Sequence, residues 1–379
     1  MITVNSAFDS GAIDIIDVSD PLNIRLNIRR DLASEFRQWF CFRVTGKCSQ
    51  KYVIRLCNHG DTSYKDGFND YNAFVSTDYE NWERVPCHID GSNFCITYTS
   101  PTSFFYISYF EPYTWERHIR LLSVANKSGI AQIETWGVSK EGRPIDAVVI
   151  NSSLNMQRKV WLIARQHPGE TMAEFFMEGF IHRLLDTTDK VSSELRKLCS
   201  FYMVPNMNPD GSVHGNLRTN CSGKNLNREW TNPSADGSPE VLYVRNQMHE
   251  IGVDCFFDVH GDESIPYVFT DPCLDNSVGK NDVERMSNDE HHLLSMIEKH
   301  CRNFQYKTGY EHSHYTEEEI LSMARGYVSK VFSCPSITIE MPFKDHTPNK
   351  NPKTGWNGCR SIELGKEWVD GLLAYFKVG

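Results

Sequence analysis

The chain's 379 residues leave room for two domains, and a 40% hydrophobic and 12% aromatic content supports a large core and argues against disorder. The net charge of −10 disfavours nucleic acid as a partner, because phosphate contacts need a basic face. No apolar run approaches the roughly 20 residues of a membrane span, and no signal peptide is visible. We therefore expect a cytoplasmic protein with no nucleic-acid or membrane partner, whose twelve cysteines are reduced thiols.

The first third of the chain has an all-β pattern. Short runs rich in aromatic and β-branched residues alternate with clusters of Gly, Asn, Asp and Ser. These runs cover residues 38–44, 51–57, 94–98 and 104–110. Several short strands at this spacing predict a β-sandwich, in which no catalytic group is evident.

After Tyr113 the pattern changes to an alternation of strands and helices. Strand-like runs lie near residues 145–150, 159–165, 201–205, 255–260 and 335–341. Helix-like stretches lie near residues 115–125, 172–186, 239–251, 289–302 and 361–376. This alternation predicts an α/β domain, a mixed sheet flanked by helices. We assign residues 1–114 to the sandwich domain and residues 115–379 to the α/β domain.

Three side chains with metal-binding chemistry stand next to predicted strands. His167 and Glu170 lie where the run 159–165 gives way to a helical pattern, and His260 closes another strand-like run. In open α/β sheets, ligands bind at the carboxyl ends of the strands. Two imidazoles and a carboxylate suit Zn²⁺ and leave its fourth position open for water. If the three side chains converge, the sequence predicts a zinc hydrolase.

Other polar side chains are ambiguous when they are taken alone. Asn227 and Arg228 could bind a carboxylate, since the guanidinium fork matches its two oxygens, and Arg218 could stabilise an oxyanion. Glu340, near the end of a predicted strand, would serve as a general base if it lay beside a metal. Each of these, like Arg325, also fits an ordinary surface position.

Two further groups of histidines invite a metal interpretation, His291-His292 and His312-Ser313-His314. Both lie in polar, charged stretches of the chain. We therefore predict that they are solvent-exposed and have no functional role.

The candidate residues occur in an order that resembles the zinc metallocarboxypeptidases of the funnelin group. The matching positions are His167-x-x-Glu170, Asn208-Pro209-Asp210-Gly211, Arg218, Asn227-Arg228, His260 and Thr338-x-Glu340, preceded by Glu141-Gly142-Arg143-Pro144. The resemblance covers most of residues 115–375. Pro112-Tyr113-Thr114-Trp115 and the preceding β-domain resemble the cytosolic carboxypeptidases, a subgroup with enzymes that trim glutamates from protein tails. The resemblance implies an N-terminal β-sandwich followed by a carboxypeptidase-like α/β domain.

The resemblance also implies a catalytic apparatus. One Zn²⁺ per chain would be held by His167, Glu170 and His260. Glu340 would be the general base, and Arg218 would stabilise the oxyanion.

Four residues are implied to contact the substrate, the C-terminal tail of a peptide or protein. Asn227 and Arg228 would clamp its terminal carboxylate. Arg325 would face the terminal side chain, and a cation there would favour Glu or Asp, because the wrong side chain leaves the arginine unpaired. Tyr310, Tyr315 and Tyr327 are all placed to be the mobile tyrosine that many relatives have over the substrate, and Tyr315 is the preferred candidate.

One position departs from the family pattern. Many relatives have Asp two residues before the Asn-Arg pair, where it orients a zinc-bound histidine, but this chain has Asn225. An amide can still accept the imidazole N–H, although it raises the basicity of the ligand less. We therefore expect weaker zinc binding.

Three functions remain open at this point. The first is a zinc exopeptidase that removes C-terminal residues, with a preference for acidic ones that Arg325 would supply. The second is an amidohydrolase of N-acyl amino acids with the same fold, but the β-domain and the Asn227-Arg228 pair favour the peptidase. The third is a non-catalytic protein that binds C-terminal tails, against which the intact ligand set and Glu340 argue.

Overall fold

The computed structural model describes residues 1–152, 158–272, 280–310 and 315–378. Residues up to Ser108 form two five-stranded sheets, in the orders β1-β4-β10-β6-β7 and β2-β3-β5-β9-β8. The strands are β1 (Thr3–Asn5), β2 (Asp14–Asp17), β3 (Ile24–Asn27), β4 (Cys41–Thr45), β5 (Lys51–Leu56), β6 (Ala73–Ser76), β7 (Glu83–Val85), β8 (Cys87–Asp90), β9 (Asn93–Thr99) and β10 (Phe104–Ser108). The predicted β-sandwich is confirmed.

The two sheets share one core because their strands alternate. In β5, Tyr52, Ile54 and Leu56 are buried, while the residues between them are partly exposed. The ring of Tyr52 lies 5.2 Å from the ring of Phe105 in the opposite sheet. Aromatic residues therefore fill the space between the sheets.

The rest of the chain forms a seven-stranded mixed sheet in the order β11-β12-β14-β13-β15-β17-β16. Its strands are β11 (Gln132–Val138), β12 (Pro144–Ile150), β13 (Arg158–Ala164), β14 (Cys199–Val204), β15 (Cys255–Asp262), β16 (Phe269–Pro272) and β17 (Ser336–Pro342). The helices are α1 (Trp115–Lys127), α2 (Met172–Leu185), α3 (Lys190–Leu198), α4 (Pro209–His214), α5 (Pro239–Ile251), α6 (Lys280–His300), α7 (Glu317–Ser322), α8 (Ala324–Phe332) and α9 (Gly358–Val378). This is the predicted α/β architecture.

Both faces of the central strands are buried, which explains their continuous apolar runs. In β13, Val160 and Leu162 belong to the core under α2, α6 and α9, whereas Trp161 and Ile163 belong to the core under α5 and α8. Strands β14, β13, β15 and β17 are mutually parallel. Their carboxyl ends therefore meet at one edge of the sheet.

Helices α3, α4, α7 and α8 are absent from the sequence prediction, although α3 and α4 each have a recognisable start signal. The side chain of Asp189 caps α3 by accepting a hydrogen bond from Val191 N at 2.9 Å. The Asn208-Pro209-Asp210-Gly211 motif indicates a turn, but Asn208 is the N-cap of α4 and Pro209 its first residue. Turn and helix-start signals use the same residue types, and the sequence alone did not separate them.

The sandwich packs directly on the α/β sheet. The ring of Tyr109 lies 4.9 Å from that of Phe343, which directly follows β17, and Arg84 donates to Trp356 O at 3.1 Å. The predicted boundary at residues 114/115 falls between the end of β10 and the start of α1. The eleven cysteines among the described residues are all free thiols. Within the same residues, no helix is both long and apolar enough to cross a membrane.

Candidate active site

His167, Glu170 and His260 converge at the carboxyl ends of β13 and β15. Nδ1 of His167 lies 2.8 Å from Oε1 of Glu170, and Nδ1 of His260 lies 2.7 Å from Oε2. The two Nδ1 atoms are 3.1 Å apart, and all three side chains are buried. The predicted ligand set therefore comes together around one point.

Arg165, the residue after β13, holds the turn that carries His167. Its backbone is left-handed, with φ of 56°, so the chain leaves the strand direction abruptly. Its buried guanidinium donates to Pro168 O from Nε at 3.1 Å and to the Glu174 carboxylate at 2.8 Å. This buried ion pair anchors the ligand loop, residues 165–171, to α2. The imidazole of His167 is therefore held in place by a network away from solvent.

The ligand set fits a zinc ion by its donor chemistry. Nε2 of His167 lies 3.0 Å from the amide oxygen of Asn225, and Nε2 of His260 lies 2.8 Å from a carboxylate oxygen of Asp258. An oxygen beside each Nε2 favours the proton there and leaves the lone pair of Nδ1 for a metal. Burial, assisted by Arg218, lowers the pKa of His167 to about 3, whereas Asp258 and Glu170 outweigh burial at His260 and raise its pKa well above the usual range. Two imidazoles and a carboxylate are a three-ligand zinc set.

The pairing of β15 with β17 places Glu340 beside the metal ligands. The two parallel strands align Glu340 with His260. Glu340 is buried, and burial raises the pKa of its carboxyl well above the usual range. Its Oε1 accepts a hydrogen bond from the Tyr310 hydroxyl at 3.3 Å, and no described residue bonds to its Oε2. A carboxylate with a raised pKa and an available oxygen suits a general base.

All nine candidate residues line one cavity of about 310 Å³. They are His167, Glu170, Arg218, Asn227, Arg228, His260, Tyr315, Arg325 and Glu340. These nine residues, spread between positions 167 and 340, reach the cavity from loops, strand ends and the start of α8. Their assembly is therefore a product of the tertiary fold and not of local sequence.

The three arginines differ in their surroundings. Arg218 lies 3.7 Å from Oε1 of Glu170 and is mostly buried. Arg228 is exposed and donates to the carbonyl of Asn227 at 2.6 Å. Arg325 is buried and forms an ion pair with Asp271 at 2.8 Å. The cation predicted to face the substrate side chain therefore has an anionic neighbour in the same cavity.

The amide of Asn227 is oriented by the start of α8. Its Oδ1 accepts a hydrogen bond from the backbone N–H of Ala324 at 2.8 Å. With the oxygen engaged in this way, the NH₂ group is the part of the amide left to donate to a ligand.

Two tyrosines border the cavity in different ways. Tyr315 is 45% exposed. Tyr310 is more enclosed, and its single hydroxyl proton is shared between Asp262, at 2.8 Å, and Glu340, at 3.3 Å. Of the three candidate tyrosines, Tyr310 and Tyr315 therefore line the cavity, whereas Tyr327 is not among its lining residues.

Sequence reasoning missed several lining or supporting residues. Asp258 had a usable signal, because it precedes His260 by two positions and side chains at that spacing share one face of a strand. Tyr64 and Asp271 had none, since they come from the sandwich and from the edge strand β16. Of the other histidines, neither His291 nor His292 lines the cavity, and His312-Ser313-His314 lies outside the described residues.

Two imidazoles and a carboxylate at a sheet edge, with a buried glutamate and three arginines in one cavity, define the site of a metal-dependent hydrolase. The chain belongs to the zinc carboxypeptidase family, whose pattern, described as "Zinc carboxypeptidase", matches residues 119–358. Residues 4–110 match the domain described as "Cytosolic carboxypeptidase N-terminal domain".

Solved structures and curated proteins support this assignment. The metallo-carboxypeptidase from Burkholderia cenocepacia has a TM-score of 0.97 at 40% identity, over 100% of both chains. That from Pseudomonas aeruginosa, solved with (2-guanidinoethylmercapto)succinic acid, has a TM-score of 0.92 at 42% identity, over 98% of both chains. Cytosolic carboxypeptidase 6 of Homo sapiens is 28% identical over 68% of this chain and 56% of its own length, so this chain spans about half of that relative. The predicted family, subgroup and fold are confirmed, and the protein is a peptide hydrolase.

Proposed function

We propose that the protein hydrolyses the peptide bond before the C-terminal residue of peptides or proteins. The reaction takes place in this cavity, with one Zn²⁺ held by His167, Glu170 and His260. The observation that carries this proposal is the convergence of these buried ligands with the buried Glu340 in a single cavity. A bound Zn²⁺ supplies Lewis acidity, which lowers the pKa of water and polarises a carbonyl group.

Glu340 and Arg218 carry out the proton transfer and charge stabilisation. Glu340 takes a proton from the water that attacks the scissile carbonyl carbon, and it passes that proton to the nitrogen of the leaving residue as the C–N bond breaks. Arg218 faces the negative charge that develops on the carbonyl oxygen, and its partial burial strengthens this interaction. The arginine need not move during the reaction, because it is already held in the cavity wall.

Arg228 and Asn227 restrict the reaction to chain ends. The accessible guanidinium of Arg228 and the free NH₂ group of Asn227 together offer donors to a terminal carboxylate. An internal peptide bond would leave these donors unpaired, so exopeptidase action is expected.

Metal removal tests the proposed function. The protein purified without chelator should contain one equivalent of zinc, release C-terminal residues from a dipeptide library, and lose activity after dialysis against 1,10-phenanthroline. Activity should return when zinc is restored, because the ligand set is otherwise complete. N-acyl amino acids serve as the parallel substrate series. Hydrolysis of these compounds alone would support the amidohydrolase, and a zinc-free protein that zinc does not activate would support the binding protein.

We further propose that the cavity prefers an acidic terminal residue, with Arg325 as the recognising group. Arg325 lines the cavity beside its ion-pair partner Asp271, and its planar guanidinium is the kind of group that pairs with a substrate carboxylate. The opposing candidate is a basic terminal residue recognised by Asp271. It is favoured by the presence of that carboxylate and by the guanidino group of the compound bound to the Pseudomonas aeruginosa relative.

Peptides that differ only in the last residue separate the two preferences. We expect kcat/KM to be higher for terminal Glu than for terminal Gln or Arg, and Arg325→Gln to reduce this preference by about 10-fold or more, since each 1.4 kcal/mol of lost pairing is a factor of ten. Asp271→Asn should preserve or increase the preference, because it removes the competing anion. A preference for terminal Arg that disappears in Asp271→Asn would contradict the proposal and support the basic alternative.

A further inference from the structure

Asp31 of the β-sandwich is buried against the loop that carries Arg218. This aspartate lies between β3 and β4, far from the metal ligands along the chain. Its carboxylate accepts hydrogen bonds from three successive backbone N–H groups, those of Leu217 at 2.7 Å, Arg218 at 2.7 Å and Thr219 at 2.9 Å. The Thr219 hydroxyl adds a fourth at 3.2 Å. One side chain of the N-terminal domain therefore organises the whole turn.

Neighbouring contacts fix the same loop to the sandwich. The backbone N–H of Leu32 donates to the side chain of Asn216 at 3.1 Å, and Arg29 donates to the carbonyl of His214 at 2.7 Å. A Cβ atom at Gly223 would lie 2.1 Å from the carbonyl oxygen of Ala33. The close approach of the two backbones at this point requires a glycine.

The side chain of Arg218 extends from this turn into a pocket lined by residues of both domains. Its guanidinium carbon lies 5.9 Å from the ring centre of Phe36 and 5.4 Å from that of Tyr64, both in the sandwich. Distances of this order allow cation–π attraction. On the catalytic side, the guanidinium lies 3.7 Å from Glu170. The turn also contacts the ligand loop, since Leu217 O accepts from Gly169 N at 2.8 Å.

We infer that Asp31 is a positioning residue for Arg218, and that the N-terminal domain thereby completes the active site. The inference rests on the proposed role of Arg218 as the oxyanion stabiliser. A preorganised donor is effective only when it is held in place before charge develops. Displacement of a catalytic group by about 1 Å can cost about 100-fold in rate. Asp31 never touches substrate, and it acts through the backbone of residues 217–219.

A double-mutant cycle in the full-length zinc enzyme tests this inference. Asp31→Ala should lower kcat by about 10- to 100-fold with little change in KM, while zinc content and circular dichroism stay unchanged. In an Arg218→Ala background, the same Asp31→Ala change should cost less than about twofold, because the two residues act as one unit. Asp14→Ala, a change of an exposed aspartate in the same domain, is the matched control and should behave as wild type.

A binding measurement adds a readout that a general loss of stability would not produce. A phosphonate dipeptide analogue, whose anionic oxygens resemble the tetrahedral intermediate, should bind Asp31→Ala about 10- to 100-fold more weakly than wild type. Binding of an uncleaved peptide to Glu340→Gln should be the same with and without the Asp31 change. If Asp31→Ala does not fold, Asp31→Asn serves in both assays, since it keeps the side-chain volume and one acceptor oxygen.

The outcomes distinguish a failure of the proposed role of Arg218 from a failure of the inference about Asp31. Full activity of Arg218→Ala would remove the proposed role of Arg218 and this inference with it. The inference alone would be overturned if Arg218→Ala had a reduced kcat while Asp31→Ala was fully active. It would also be overturned if the two losses of kcat multiplied in the double variant. A loss of kcat in Asp31→Ala that nearly disappears in the Arg218→Ala background supports the inference.

Discussion

Glu340→Gln should lower kcat by about 10²- to 10⁴-fold, the range typical of a lost general acid–base catalyst, while zinc content stays at the wild-type level. Gln keeps the shape of Glu340 and can still accept the hydrogen bond from Tyr310, but it cannot take a proton from water. The carboxylate is not one of the three metal ligands, so metal binding and folding should survive. Steady-state kinetics on a dipeptide, combined with elemental analysis for zinc, measures both quantities.

Glu111→Gln is the matched control for this experiment. Glu111 is also buried, and its carboxylate accepts from Gly358 N at 3.2 Å, but it does not line the cavity. Its amide replacement should leave kcat within a few-fold of wild type. Full peptidase activity in Glu340→Gln would show that another group takes the proton.

Arg218→Ala should lower kcat by about 10²- to 10³-fold, as expected for the loss of one preorganised donor to the oxyanion. The charge it stabilises exists only in the transition state, so KM should change little. Arg228→Ala should behave differently and raise KM, because the terminal carboxylate is present in the bound substrate as well. Measuring kcat and KM for both variants on one peptide distinguishes the two roles.

Zinc analysis is also needed for Arg218→Ala, because Arg218 lies 3.7 Å from the ligand Glu170. Equal zinc in wild type and variant would attribute the loss to chemistry. A raised KM with an unchanged kcat would assign Arg218 to ground-state binding and rule out the oxyanion role.

Several elements were predictable because their patterns are local and regular. The buried strand β13 contains a continuous apolar run, β15 and β17 are buried segments rich in aromatic or β-branched residues, and helices α1, α2 and α5 carry apolar residues at helical spacing. Short or exposed strands such as β2, whose residues are mostly exposed, carry no such pattern. Helix α7 has a capping box between Thr316 and Glu319, a local signal that could have been used.

The candidate site was predictable to a different degree for each residue. His167 and Glu170 are close in sequence, and their position between a strand and a helix already indicates a ligand pair. The side chains that modulate the site come from elsewhere, namely Asp271 from β16 and Tyr64 from the sandwich. Pairing across such separations depends on strand order and domain packing, for which a single sequence carries no periodic signal.

The sequence by itself determined the order of the candidate ligands, the proposed general base and the arginines, and it placed His167, Glu170, His260 and Glu340 at or next to strand ends. Those conclusions follow from residue chemistry and short-range spacing. The tertiary structure decided that Asp258 and Asn225 each lie beside a ligand histidine, that Arg325 is paired with Asp271, and that the β-sandwich holds the Arg218 loop through Asp31. Register between parallel strands and contact between two domains join residues nearly two hundred positions apart, and only the folded chain brings them together.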